Sequence, residues 1–134
     1  MIRDMLAENG HTVAHYQVIH DEAERVRQAV VHLCARPDVQ AVLLTGGTGL
    51  APRDTTFEAI ISLLEKRIDG FGELFRSLSF AEIGAAAMLS RAVAGIRNHR
   101  VVFSMPGSVA AVKLAMTRLI LPEMGHMVWL IHPR

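Results

Sequence analysis

Residues 44–56, LTGGTGLAPRDTT, gather the groups best suited to chemistry in this chain. Gly46, Gly47 and Gly49 permit positive φ and let backbone N–H groups come close to a ligand. Thr48 lies among them, Asp54 adds a carboxylate, and Thr55 or Thr56 can cap the helix that follows. A glycine loop feeding a helix N-terminus offers an anion both N–H donors and the positive end of the helix dipole. The same residues also suit a plain strand-to-helix turn without a ligand, and on this stretch alone both readings stand. Two phosphate motifs are excluded: no Gly-Lys-Ser/Thr follows, as a P-loop needs, and the G-x-G-x-x-G spacing is absent.

The elements that would position this loop follow from hydrophobic period and breakers. Ala41, Val42, Leu43 and Leu44 form a short apolar run of the kind buried on both faces of a parallel sheet. Residues 57–67 read as the helix after the loop, with Ile60, Ile61 and Leu64 on one face. Upstream, residues 1–9 read as a helix ended by Gly10. Residues 12–19 read as a strand, surrounded by His11, His15 and His20 in a spacing that suits solvent better than a metal. Asp21 reads as a cap, with Glu24 completing a capping box, for a helix that stops at Arg36-Pro37-Asp38. Downstream, residues 69–72 read as a turn, and residues 73–78 and 81–89 as two short helices. Residues 92–96 and 100–105 read as an antiparallel pair around the turn Arg97-Asn98-His99. Pro106-Gly107-Ser108 then stops the strand. Ser108 can cap a helix to about residue 120, and Pro122 suits the first turn of a final helix through Val128. This alternation predicts an α/β sandwich with a mostly parallel sheet. Both glycine loops would then lie at the carboxyl edge of the sheet, where ligands bind, and the pair favours a phosphorylated ligand.

Composition bounds the remaining possibilities. The chain has 134 residues, 51% of them apolar, which fits one domain with a sizeable core. A formal net charge of +1, with acids and bases interspersed, points to neither a nucleic-acid nor a membrane surface. The single cysteine, Cys34, excludes an internal disulfide framework and suits a reducing compartment. No stretch reads as a signal peptide or a membrane span, so the cytoplasm is the expected location.

Three segments taken together, LTGGTGLAPRDTT, GFGELFRSLSFAEIGAAAMLSRAVAGI and FSMPGSVAAV, resemble the MoaB/MogA family of molybdenum-cofactor biosynthesis proteins. The C-terminal ILPEMGHMV looks more like the MoaB branch, and the related domain of gephyrin is similar more distantly. The resemblance implies a three-layer α/β/α sandwich around a mixed sheet, assembled as a homo-trimer or homo-hexamer. It implies molybdopterin as ligand, and adenylylation of its terminal phosphate with Mg-ATP and release of pyrophosphate. Carried over by residue, Gly46, Gly47, Thr48 and Gly49 would hold phosphate or pterin, with Thr55 beside them. Ser90 of the LSR motif and Pro106, Gly107 and Ser108 would complete the ligand wall. Asp54 would match the aspartate needed for the reaction, and Asp21 a second important acid. A carboxylate beside phosphates repels them unless it holds a metal, so Asp54 is expected to bind Mg²⁺. Arg53 and Arg91 each read equally as a phosphate contact or as a solvated or structural arginine. A non-catalytic molybdopterin-binding or scaffold protein is the alternative, since a binding loop and a catalytic loop look alike in sequence.

Family members begin with a further strand and a Ser-Asp loop, whereas this sequence starts inside the first helix. The expectation is therefore a sheet without that strand, between residues 12–19 and 41–45. Codons upstream of Met1 are expected to encode it.

Overall fold

A computed structural model of the chain describes residues 1–20 and 22–133. Its sheet is built around one strand, β4 (Arg100–Met105), whose last five residues are all buried. β1 (Ala41–Thr45) pairs with it in parallel and β3 (Val93–Arg97) antiparallel, and the short β2 (Lys66–Arg67) adds to β3, giving the order β1-β4-β3-β2. The α/β class with a mixed sheet is as the sequence predicts. Its parallel share is smaller than expected, because among the described strands only β1–β4 runs parallel. The β3–β4 hairpin forces the opposite sense: Asn98 and His99 both take positive φ, +46° and +62°, as a tight two-residue turn requires.

Alternation along β4 creates three layers. Val101, Phe103 and Met105 point into one core with Phe71, Phe75, Met116 and Ile120, while Val102 points into the other with Val26, Val30, Ala59 and Ile60. The first core is covered by α1 (Ile2–Glu8), α4 (Asp69–Ile83), α5 (Val109–Ala115) and α6 (Leu121–Ile131). The second is covered by α2 (Ala23–Leu33) and α3 (Thr56–Ile61). Phe71 meets Phe103 edge-on at 5.1 Å between ring centroids, which ties α4 to β4. Cys34 is 1% exposed in the second core, and burial pushes its thiol pKa up, so it packs rather than reacts.

Local signals hold at several ends. Gly10 at φ +82° closes α1 with the paired bonds His11 N–H to Leu6 O (2.9 Å) and Gly10 N–H to Ala7 O (3.2 Å). Ser108 caps α5 by accepting from Ala111 N–H at 3.2 Å. Glu22 occupies the N-cap of α2 without a side-chain bond, and Asp21 lies outside the described residues.

Elsewhere tertiary contacts override the local reading. Residues 12–19 form neither helix nor ladder among the described residues. With β1 they line a cavity of about 1060 Å³, and among the described residues no strand pairs with the edge of β1 away from β4. The helix expected over residues 57–67 ends at Ile61, because Lys66 and Arg67 pair with Ile96 and Gly95. Residues 69–72 begin α4 rather than turning, and α4 runs unbroken through Ser79, which is buried. Gly84, at φ +72°, converts it to a 3₁₀ segment, Gly84–Leu89. No break separates the last two helices: a π-helical stretch, Met116–Ile120, joins α5 to α6 ahead of Pro122. A widened turn accommodates the N–H that proline lacks. Among the described residues no helix is long and apolar enough to cross a membrane.

Gly95 has no room for a side chain, since a Cβ there would meet Lys66 O at 2.4 Å and Leu64 Cδ1 at 2.7 Å. Gly95→Ala must push β2 off the sheet. We expect a loss of about 1–3 kcal/mol in urea denaturation. A change below about 0.5 kcal/mol would mean that β2 yields freely.

Candidate functional site

The parallel register of β1 and β4 sets Thr45 opposite Met105, so the two glycine loops leave the sheet at the same level. They touch: Gly46 N–H donates to Met105 O at 2.9 Å, and a Cβ on Gly107 would lie 3.4 Å from Gly46 Cα. Gly46 and Gly47 take positive φ, +93° and +69°. A Cβ on Gly47 would collide with the Thr56 side chain, 2.1 Å from Oγ1, and one on Gly49 would meet Asp54 Oδ2 at 2.9 Å. The first loop is thus folded back on the start of α3, with Thr56 N–H donating to Gly47 O at 3.2 Å.

This geometry leaves donors in hand. Among the described residues, the N–H groups of Gly47, Thr48, Gly49 and Leu50 find no acceptor, and neither do those of Gly107 and Ser108. Two runs of unpaired donors meeting at one sheet edge can take up an anion such as phosphate.

Asp54 is half-buried beside these donors. Its Oδ2 accepts from Ala51 N–H at 3.0 Å, closing the turn, while Oδ1 has no hydrogen bond among the described residues. No cationic side chain among them pairs with this carboxylate. One free carboxylate oxygen next to an anion cradle fits Mg²⁺, which commonly takes one or two protein carboxylates and completes its shell from phosphates and water. Thr55 stands at the N-cap of α3 but makes no side-chain cap bond.

Ser90 reaches the site through its neighbour. Ser90 Oγ accepts from Ala92 N–H at 3.4 Å, and Arg76 Nη1 donates to Ser90 O at 3.3 Å and to Ala92 O at 3.0 Å from behind. Arg91 N–H donates to Thr48 O at 3.0 Å, which fastens this segment to the first loop. The Arg91 side chain then donates to Gly49 O through Nε (3.1 Å) and Nη2 (2.8 Å), and to Asp54 O through Nη2 (2.8 Å). Its Nη1 pairs with Glu58, and its guanidinium sits 5.0 Å above the Phe57 ring. The hydrogen bond from Arg91 holds the Glu58 carboxyl below its ordinary pKa. Of the two readings open for Arg91, the geometry is the structural one, whereas Arg53 stays exposed on the loop.

The expected residues Gly46 to Gly49, Asp54, Thr55, Ser90 and Pro106 to Ser108 are therefore gathered around one edge, and Asp21 is outside the described residues. Arg76, Phe57 and Glu58 were not legible as parts of the site. Their partners are distant in sequence or follow from how α3 is turned, and no local motif marks them.

Comparison with known proteins bears on the same residues. A family described as "Probable molybdopterin binding domain" matches residues 1–126. The molybdenum cofactor biosynthesis protein B of Halalkalibacterium halodurans is 53% identical over 129 residues, covering 96% of this chain and 76% of its own length. The Bacillus anthracis protein of the same name is 52% identical over 133 residues, covering 98% and 79%. A crystal structure of molybdenum cofactor biosynthesis protein B superposes with a TM-score of 0.96 at 50% identity, covering 99% of this chain and 83% of that one. The tungsten cofactor synthesizing protein MoaB from Pyrococcus furiosus gives 0.88 at 37%, covering 98% and 82%.

Gly47→Ala should cost more than Gly46→Ala, because only the former adds a collision to an unfavourable φ; no atom lies within 4 Å of a Cβ on Gly46. We expect about 1–3 kcal/mol of extra destabilisation in thermal unfolding, partly recovered in a Thr56→Ala background. Equal effects of the two substitutions would show that the loop adjusts without contacting Thr56.

Proposed function

Since the chain belongs to the family of probable molybdopterin binding domains and to molybdenum cofactor biosynthesis, we propose that it binds molybdopterin and adenylylates its terminal phosphate with Mg-ATP. Residues 1–134 then form a single molybdopterin-binding domain, set in the cytoplasm. The observation that carries this reading is the contact between two loops with unpaired N–H groups, the first of which carries Asp54.

In the proposed reaction an oxygen of the pterin phosphate bonds to the α-phosphorus of ATP. The bond from that phosphorus to the β-phosphate bridging oxygen breaks, and pyrophosphate leaves. Such a transfer needs positioning and charge neutralisation more than covalent help from the protein. Backbone donors of Gly47 to Gly49, Gly107 and Ser108 would hold phosphate oxygens in fixed directions. Oδ1 of Asp54 would hold Mg²⁺, which when bound supplies the positive charge that lets several phosphates share the site. Ser90 and Thr55 would line the same pocket with hydroxyls, and Asp21 would have a supporting or ligand-orienting role.

The competing reading is a non-catalytic molybdopterin-binding or scaffold protein. It is favoured by one bond, Ala51 N–H to Asp54 Oδ2, which gives Asp54 a purely structural task. Asp54→Asn separates the two. It keeps the shape of the turn and removes the charge that would hold Mg²⁺. With molybdopterin, ATP and Mg²⁺, the native chain should form adenylyl-molybdopterin. The variant should lose about a hundredfold or more in rate while pterin affinity stays within about threefold. No product from folded native protein, or equal loss of binding and turnover in the variant, would favour the binding-only reading.

We also propose a homo-trimer or homo-hexamer. Phe80 and Ile83, three residues apart on α4, and Met88 and Leu89 beyond it are all exposed, a grouping that usually marks an interface. Light scattering at micromolar concentration should give three or six times the mass of one chain, and a monomer would overturn the assembly.

A further inference from the structure

We propose that Arg91 is the positioning residue of this site: it sets the direction of Asp54 and of the glycine-loop donors without itself contacting the ligand. The inference rests on the proposed adenylyl transfer for its kinetic part only.

The first loop leaves β1 at Thr45 and rejoins the fold at Thr56. Between them, residues 50–53 are all exposed and carry no apolar anchor. Among the described residues, the only backbone bond inside residues 50–54 is Asp54 N–H to Ala51 O at 2.8 Å; the Asp54 carboxylate bonds back to the same turn, and Thr56 N–H to Gly47 O at 3.2 Å ties only the base of the loop. Left to itself, a segment of this kind would sample several conformations. Arg91 closes it at both ends. One guanidinium binds Gly49 O, just before the exposed stretch, and Asp54 O, just after it. The Arg91 backbone also holds Thr48 O. The plane of the guanidinium is fixed in turn by Glu58 on one edge and by the Phe57 ring beneath it.

Two consequences follow for ligand chemistry. By accepting from Arg91, the carbonyls of Thr48, Gly49 and Asp54 are held toward the arginine, which leaves the N–H groups of the loop available to an anion. With Nε, Nη1 and Nη2 all engaged by the protein, the side chain has little donor capacity left for a phosphate. The planar fork is essential to this task. A lysine keeps the charge but cannot bridge both carbonyls and Glu58 in one plane.

Arg91→Lys is therefore the decisive variant, with Glu58→Gln as a milder change that loosens the guanidinium without removing it. Two measurements are made on each. Hydrogen exchange of the hydrogen-bonded loop amides, those of Ala51, Asp54 and Thr56, is read on the chain alone, without any ligand. It should speed up by about tenfold or more in Arg91→Lys, and less in Glu58→Gln, while amides of β3 and β4 keep their protection. Steady-state adenylylation should show kcat down by roughly a hundredfold with the KM for ATP within about threefold, the signature of a misplaced group rather than a lost contact. Methylguanidinium added to Arg91→Ala should restore loop protection. Unchanged loop exchange in Arg91→Lys, or a rise in KM with kcat intact, would overturn the proposal. Faster loop exchange in a protein that makes no adenylylated product under any condition would sustain the positioning role and sink the adenylyl transfer instead.

Discussion

The parallel register between β1 and β4 is the constraint from which the site follows. Parallel strands end their carboxyl termini on the same side, and pairing Thr45 with Met105 sets both loops at one height. Only then can Gly46 and Gly107 touch and the unpaired donors of the two loops lie at one edge. A slip of one residue would turn Val102 and Phe103 to the wrong cores as well as parting the loops. Burial on both faces of β4 therefore fixes where the two loops leave the sheet, and Met105, a core residue, ties the first loop to the strand's end through its carbonyl.

The loops themselves are not rigid by packing. Their shape comes from glycine conformations that other residues adopt at a cost, and from hydrogen bonds supplied by another part of the chain. Arg76 steadies residues 90–92, and Arg91 transmits that steadiness to residues 48–54. Charge is placed economically here: the arginine closest to the cradle is neutralised by Glu58 and by carbonyl dipoles, so it does not compete with the backbone donors for an anion. Asp54 keeps one oxygen without a hydrogen bond and, unlike Glu58, has no cationic partner among the described residues.

Much of this was legible in the residues alone, wherever the cause is local. Glycines at positions 46, 47 and 49 announce a loop: 46 and 47 take the positive φ few other residues adopt, and a Cβ at 49 would meet Asp54. Gly10 ends a helix for the same reason, Ser108 caps one because its hydroxyl reaches the third N–H, and Asn98 with His99 makes the hairpin turn. The apolar run at 41–44 names a buried strand, and the motifs together name the family.

Tertiary structure alone decided what depends on a partner far along the chain. Residues 12–19 have strand composition, but a strand exists only where another backbone lies alongside, and theirs lines a cavity. Lys66 and Arg67 read as the end of a helix and become β2 because Gly95, lacking a Cβ, lets their backbone close on β3. Residues 79–80 look like a helix break and are not one, since Ser79 is carried into the buried face of α4. Arg91 and Gly49 are 42 residues apart, and nothing local distinguishes a guanidinium that will hold a loop from one that will hold a phosphate. Sequence determines which backbone conformations are cheap; the pairing of strands determines which side chains meet, and the role of Arg91 is of the second kind.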